Sequence, residues 1–154
     1  LKEHMMANKL PIDIRDMIES DVSFIFNTWL KSYRKSRITE GIENPIYFSE
    51  HHKIIEELLK RCDVVVASAS DDSSIIYGYL VFEKIEGQFV VHWAYVKNDF
   101  RELGIFNAMQ EVAGRDKEVL GCYTHRTFIC EKLEQKLNLI YHPYLVYRKD
   151  LRNE

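Results

Sequence analysis

The stretch Gln88-Phe89-Val90-Val91-His92-Trp93-Ala94-Tyr95-Val96 runs into Lys97-Asn98-Asp99-Phe100-Arg101-Glu102-Leu103 and then Gly104-Ile105. Phe89 to Val96 is apolar at every position except His92. Strict alternation puts Phe89, Val91, Trp93 and Tyr95 on one face and Val90, Ala94 and Val96 on the other, with His92 among the second set. A strand that is apolar on both faces belongs in the middle of a sheet covered on both sides. The polar loop that follows ends at one glycine, which opens a helix with the stripe Ile105, Met109, Val112 and Ala113. A helix start leaves backbone N–H groups unpaired and partly positive, which suits a phosphate. Gly104 has no Cβ to keep an anion away. An ordinary strand-to-helix turn has the same residues, so both readings stay open.

Upstream of this stretch, Leu10, Ile12 and Ile14 alternate with polar residues as a half-buried strand, and Pro11 places it at an edge or a strand start. Asp21 is placed to cap a helix with the stripe Val22, Ile25, Phe26, Trp29, Leu30 and Tyr33. A loop from Ser36 to Tyr47 precedes a second helix that Ser49 would cap, carrying Ile54, Ile55, Leu58 and Leu59. Asp63 to Ser70 and Ile75 to Lys84 read as strands joined by the turn Asp71–Ser74. Downstream, Glu118 to Tyr123 reads as a strand and Thr124 or Thr127 as the cap of a last helix. Leu139 to Tyr147 reads as one or two short strands. The expectation is a single α/β domain of order β-α-α-β-β-β-α-β-α-β, with a mixed, mostly antiparallel sheet flanked by helices. Residues 1–5, ahead of Met6, are set aside as extraneous, leaving residues 6–154 as the domain.

The chain has 154 residues, of which 46% are hydrophobic and 29% charged, with 21 Lys and Arg against 24 Asp and Glu. That balance fits one globular domain and excludes a disordered chain. A net charge of −3 argues against a general nucleic-acid or membrane-surface binder. Three cysteines in no short-spaced framework point to a reducing, cytoplasmic setting. The apolar run Ile75–Phe82 is too short to span a bilayer.

The loop Arg101-Glu102-Leu103-Gly104-Ile105-Phe106 resembles the pyrophosphate loop of the GNAT N-acyltransferases, Arg/Gln-x-x-Gly-x-Gly/Ala. It matches at Arg101 and Gly104 and departs at Phe106. The element order over residues 10–147 is similar to the family's as well. The segments Tyr95-Val96-Lys97 and Tyr123-Thr124-His125-Arg126-Thr127 also resemble small bacteriophage members. In the last helix, aligned on Lys136-Leu137-Asn138-Leu139, Thr127 takes the family's Asn position, Cys130 its Ala position, and Glu134 the position of a tyrosine that commonly protonates the leaving thiolate.

The resemblance implies transfer of an acetyl or other short acyl group from acetyl-CoA to a primary amine, by direct attack in a ternary complex. It implies a cofactor site at Ala94, Tyr95, Val96, Arg101–Phe106, Thr127 and Cys130, with pantetheine beside the strand and no metal. Strand N–H groups would support the thioester oxyanion. The amine must first lose a proton, and His92 is the expected base, although a hydrogen-bonded core histidine reads the same. His125, at a strand end of the kind that lines ligand crevices, is a second base or acid. Tyr123 is the replacement acid. Trp29, Tyr33 and Tyr47 flank the acceptor wall, with core packing the competing role for Trp29.

Two other readings remain. The missing tyrosine and Phe106 fit a non-catalytic acyl-CoA-binding or protein-interaction module. Lys31, Arg34, Lys35 and Arg37 form a basic run that fits an enzyme acting on a nucleic-acid base or a DNA-bound protein, or simply a solvated helix end. The acceptor would be a small-molecule or protein amine, and the protein a monomer or homodimer. His51 and His52, adjacent on a helix, point in different directions and make a poor metal pair.

Overall fold

The computed structural model describes residues 2–5, 11–101 and 104–147. Strands β1 (Lys2–Met5) and β2 (Pro11–Asp16) lead into helices α1 (Val22–Tyr33) and α2 (Asn44–Arg61). Strands β3 (Asp63–Ala69), β4 (Asp72–Ile85) and β5 (Gln88–Val96) form a meander. Helix α3 (Ile105–Val112), strand β6 (Gly121–Tyr123), helix α4 (Phe128–Leu137) and strand β7 (Leu139–Tyr141) follow. From β2 onward this is the expected order. The seven strands lie side by side in chain order. Pairing is antiparallel as far as β5 and parallel from β5 to β6 and β6 to β7. Residues 2–5, set aside in the sequence reading, pair with β2.

Alternation along the strands builds two cores. Val64 and Val66 of β3 and Tyr79 and Val81 of β4 face α1 and α2, against Ile25, Trp29, Ile55 and Leu58. Val65, Ala67, Leu80 and Phe82 face α3, against Ile105, Ala108 and Met109. Both faces of the sheet are therefore covered, as the apolar β5 requires.

The structure corrects several local expectations. Helix α2 begins at Asn44, before Ser49, because Pro45 sits in its first turn, where a missing N–H costs nothing. Asp21 makes no cap bond to α1. Its carboxylate accepts from the Ile18 N–H at 2.8 Å and from Arg15 at 2.8 and 3.0 Å. Strand β4 reaches back to Asp72, strand β6 is shorter than expected, and Pro143–Tyr147 is a 3-10 turn.

The most consequential difference is in β5. Val81 pairs with Trp93 but Phe82 pairs with Val91, so His92 is an extra, bulged residue. The bulge shifts the alternation by one. Phe89 and Val91 share the α3 face with Ala94 and Val96, while Trp93 and Tyr95 turn to the α1–α2 face.

Gly78 of β4 pairs with Val96. A Cβ there would lie 2.5 Å from the Tyr95 carbonyl oxygen, a backbone atom that cannot swing aside. Gly78→Ala is expected to lower stability in urea unfolding by about 1–3 kcal/mol, as overpacking does. An unchanged midpoint would show that the two strands are less closely apposed.

Candidate functional site

Strands β5 and β6 part company early. They pair only at Val90–Cys122 and Val91–Tyr123, with one further bond from the Thr124 N–H to the Val91 carbonyl at 3.1 Å. Beyond that point β6 ends, and among the described residues no strand pairs with Ala94, Tyr95 or Val96 on the side away from β4. All three are half-buried. The result is a fork, open where β5 leads toward α3.

Helix α3 starts beside this fork. Gly104 precedes it with φ +80°, a left-handed conformation that a side chain strains, and no side chain caps the helix. Arg101 is tied to the strand, its Nε donating to the Val96 carbonyl at 2.8 Å. Ile105 is buried in the α3-side core and Phe106 packs against it. Glu102 and Leu103, also expected at the phosphates, lie outside the described residues. Across the fork, the Thr127 hydroxyl caps α4 by accepting from the Cys130 N–H at 3.3 Å, and Cys130 packs on the α3-side core. The Tyr123 hydroxyl donates to Glu134 at 3.1 Å, and Arg126 donates to the same carboxylate oxygen at 3.2 Å. Burial and the neighbouring Glu134 raise the Tyr123 pKa, so its hydroxyl stays protonated.

On the other face, His92 follows Val91 in the strand's alternation and points away from α3. His92 is 1% exposed and both ring nitrogens are engaged. Nε2 lies 2.6 Å from Glu83 and Nδ1 lies 2.9 Å from the Thr124 hydroxyl. His92 thus has no nitrogen left to meet a substrate directly. Glu83, equally buried, also receives Arg61 Nε at 3.1 Å. Arg61 in turn holds the carbonyls of Leu145 and Val146. Burial raises the Glu83 pKa, but the hydrogen bonds from His92 and Arg61 and the charge of Arg61 outweigh it and hold the group ionised.

The Thr124 hydroxyl also meets His125 Nδ1 at 2.9 Å, and His125 Nε2 meets His51 Nε2 at 2.9 Å. From sequence, His51 enters only as half of a poor metal pair, and its contact with His125 is a finding of the structure. Its neighbour His52 points elsewhere and stacks on Phe26. Trp29, Tyr33 and Tyr47 are all buried around this histidine pair. Trp29 and Tyr33 place ring edges on His125, and Tyr47 stacks on His51. The Tyr47 hydroxyl donates to the Leu30 carbonyl at 2.7 Å. These aromatics thus enclose the histidines.

Of the basic run, Arg34 is turned inward. It donates to Asn44 and to the carbonyls of Thr39 and Ile42, and its guanidinium lies over Tyr47. Lys31, Lys35 and Arg37 are exposed. A cleft of about 580 Å³ bounded by Asp16, Cys62, Phe82 and Lys84 lies at the opposite end of β4, away from the fork. No helix among the described residues is long and apolar enough to cross a membrane.

No protein-family model matches the sequence, and no curated protein is similar to it in sequence. Solved structures are similar in fold. A candidate acetyl transferase from Pyrococcus furiosus matches with a TM-score of 0.53 and 18% identity, over 90% of this chain and 90% of that one. An aminoglycoside antibiotic 6'-N-acetyltransferase from Acinetobacter baumannii matches at 0.47 and 15% identity, over 82% and 88%. A candidate acetyltransferase of the GNAT family from Desulfovibrio desulfuricans matches at 0.43 and 17%, over 66% of this chain and 63% of that one. This chain therefore spans under two thirds of the Desulfovibrio protein's length. The single α/β domain with its mixed sheet is the GNAT-type fold expected from the sequence.

Burial pushes the His51 pKa down to about 4, from an ordinary 6.5. Burial, and then the charges of His51 and His92, push His125 down as well. The folded protein keeps these rings neutral while the unfolded chain takes up protons below pH 6.5, so stability falls as pH falls from about 6.5 to about 4. Thermal unfolding across this window should show that fall, and His51→Asn should make it shallower. An identical slope in the variant would place His51 in water.

Proposed function

We propose that this protein transfers an acetyl or other short acyl group from acyl-CoA to a primary amine, by direct attack in a ternary complex. The observation that carries the reading is the fork itself. A strand edge without a strand partner, Ala94 to Val96, leads to a helix start headed by Gly104 and left uncapped. The groups of Ala94 and the Val96 N–H, turned away from β4, suit the amides of a pantetheine arm, and an uncapped helix start suits its pyrophosphate. A GNAT-type fold around these features supports the same assignment.

In this reading Ala94, Tyr95 and Val96 line the pantetheine, and the N–H groups of Ala94 and Val96, which alternation turns away from β4, oppose the charge of the tetrahedral intermediate. Arg101, Gly104, Ile105 and Phe106 shape the phosphate site, with Arg101 held to the strand end. Thr127 and Cys130 border it from α4. The amine nitrogen forms its bond to the acyl carbon, the C–S bond breaks, and its electron pair goes to the CoA sulfur. Tyr123, on the cofactor side of the sheet, holds a proton on its hydroxyl and is the acid proposed to meet that thiolate. The inward-turned Arg34 weakens the nucleic-acid alternative, because one of the four cations is already committed.

Titration calorimetry with acetyl-CoA tests the cofactor claim. Binding is expected for the wild type and about tenfold weaker binding for Gly104→Ala, because a left-handed residue with a Cβ costs roughly 1–2 kcal/mol. No heat from the wild type at high ligand concentration would remove the claim.

A further inference from the structure

Five groups make one unbroken chain from the half-buried His51 to the core: His51, His125, Thr124, His92 and Glu83. Three spacings are 2.9 Å and the last is 2.6 Å. The chain bridges α2, the end of β6, β5 and β4, and it crosses between β6 and β5 where the fork begins. Each link requires one donor and one acceptor, so one fixed end determines every proton.

Glu83 fixes the inner end. Arg61 donates to its carboxylate, and an ionised carboxylate can only accept. His92 Nε2 therefore carries a proton and donates it. A neutral His92 then has a lone pair on Nδ1, and the Thr124 hydroxyl donates to that. The Thr124 oxygen is left to accept from His125 Nδ1–H. His125 Nε2 is then a lone pair, and His51 Nε2–H donates to it. The remaining ring nitrogen, His51 Nδ1, is left with its lone pair, on a half-buried residue at the outer end. The buried carboxylate thus sets the outermost histidine to take a proton.

We propose that this chain is a proton relay, in which the first proton shed by the attacking ammonium enters at His51 Nδ1 and shifts one hop at a time through His125, Thr124 and His92 to the His92–Glu83 pair. The inference rests on the acyl-transfer reading above and adds the base to it. His51 is the group that meets the acceptor, and His92 acts through it. The balance is complete. An ammonium loses one proton to the relay and becomes nucleophilic; Tyr123 gives its hydroxyl proton to the departing thiolate, and the second amine proton, lost from the tetrahedral intermediate, replaces it on Tyr123. The relay returns its own proton to solvent by the same hops reversed.

The surroundings suit such a relay. Tyr33 and Tyr47 face His51, Trp29 and Trp93 face His125, and Cys62 and Arg61 stand beside the His92–Glu83 pair. Apart from Glu83, none of these bears a negative charge at neutral pH that would hold a proton on His51 or His125. Burial keeps both rings neutral, so their lone pairs are open, and it lowers their hold on a proton, so a proton passes through them rather than resting there. A proton that reaches His92 has its charge opposed by Glu83, the carboxylate at the inner end of the relay.

Thr124 is the test position, because it passes protons and touches no proposed cofactor group. Thr124→Val keeps the shape and removes the link, and Thr124→Ser keeps the hydroxyl. With spermidine, kanamycin and a lysine peptide as acceptors, Thr124→Val should bind acetyl-CoA normally and lose about 100-fold in kcat, the size of a lost acid–base contribution. Its pH–rate profile should shift, and Thr124→Ser should restore both. Nitrogen-15 NMR of the imidazoles should place the protons on His51 Nε2, His125 Nδ1 and His92 Nε2. A folded Thr124→Val with wild-type rates and pH profile overturns the relay, as does a wild-type His51 protonated on Nδ1. Wild-type protein that acetylates none of these amines and binds no acetyl-CoA overturns the acyl-transfer reading instead, and the relay's substrate with it.

Discussion

A carboxylate with no solvent exposure, Glu83 in the middle of the sheet, is the constraint on which the rest of the site depends. Burying a charge costs several kcal/mol unless donors surround it. Two donors answer it here from different elements. Arg61 comes from the last turn of α2 and also ties down the 3-10 turn that follows β7. His92 comes from β5, where it follows Val91 onto the α1–α2 face and reaches Glu83. The bulge at this residue turns Trp93 and Tyr95 away from α3 and packs Trp93 parallel to Trp29, ring centroids 5.6 Å apart. The bulge at His92, beside this polar cluster, thus sets the phase of the outer half of β5 and the packing of one core.

The site that results has two sides. On the α3–α4 side lie Gly104, Thr127, Cys130 and the Tyr123–Glu134 pair, all suited to a thioester and its phosphates. On the α1–α2 side lie the histidines and the aromatic rings that enclose them. The fork between β5 and β6 is the opening between them. This division fits a reaction in which the acyl donor and the amine approach from opposite faces of one sheet, with an acid on one side and a base on the other. The Ser36 hydroxyl, donating to the Arg126 carbonyl at 2.7 Å, fastens the loop after α1 to the loop after β6 and holds the two sides in place.

Much of the fold was legible because its signals are local. The change of period after residue 62, the apolar β5 and the single glycine before α3 each belong to one short stretch. The α2 boundary was misplaced because Pro45 reads as a loop residue unless it is recognised as first-turn proline. The bulge was invisible because a strand that is apolar on both faces looks the same in either phase. In the site, His92 and His125 stood out as polar residues in apolar surroundings. His51 did not, because a histidine beside another histidine on a polar helix has no periodic mark, and its partner is 74 positions away. Glu83 likewise looked like the polar end of a strand. Its importance comes from Arg61, on a helix that the sequence alone does not place against it.

The central claim is that the β5–β6 fork takes an acyl-CoA. Backbone amide shifts recorded by NMR during titration with CoA test it most directly. The account predicts that the largest changes fall on Ala94, Tyr95, Val96, Gly104 and Ile105, with smaller ones at Thr127 and Cys130. Changes confined to the cleft around Asp16, Cys62 and Lys84 would contradict it.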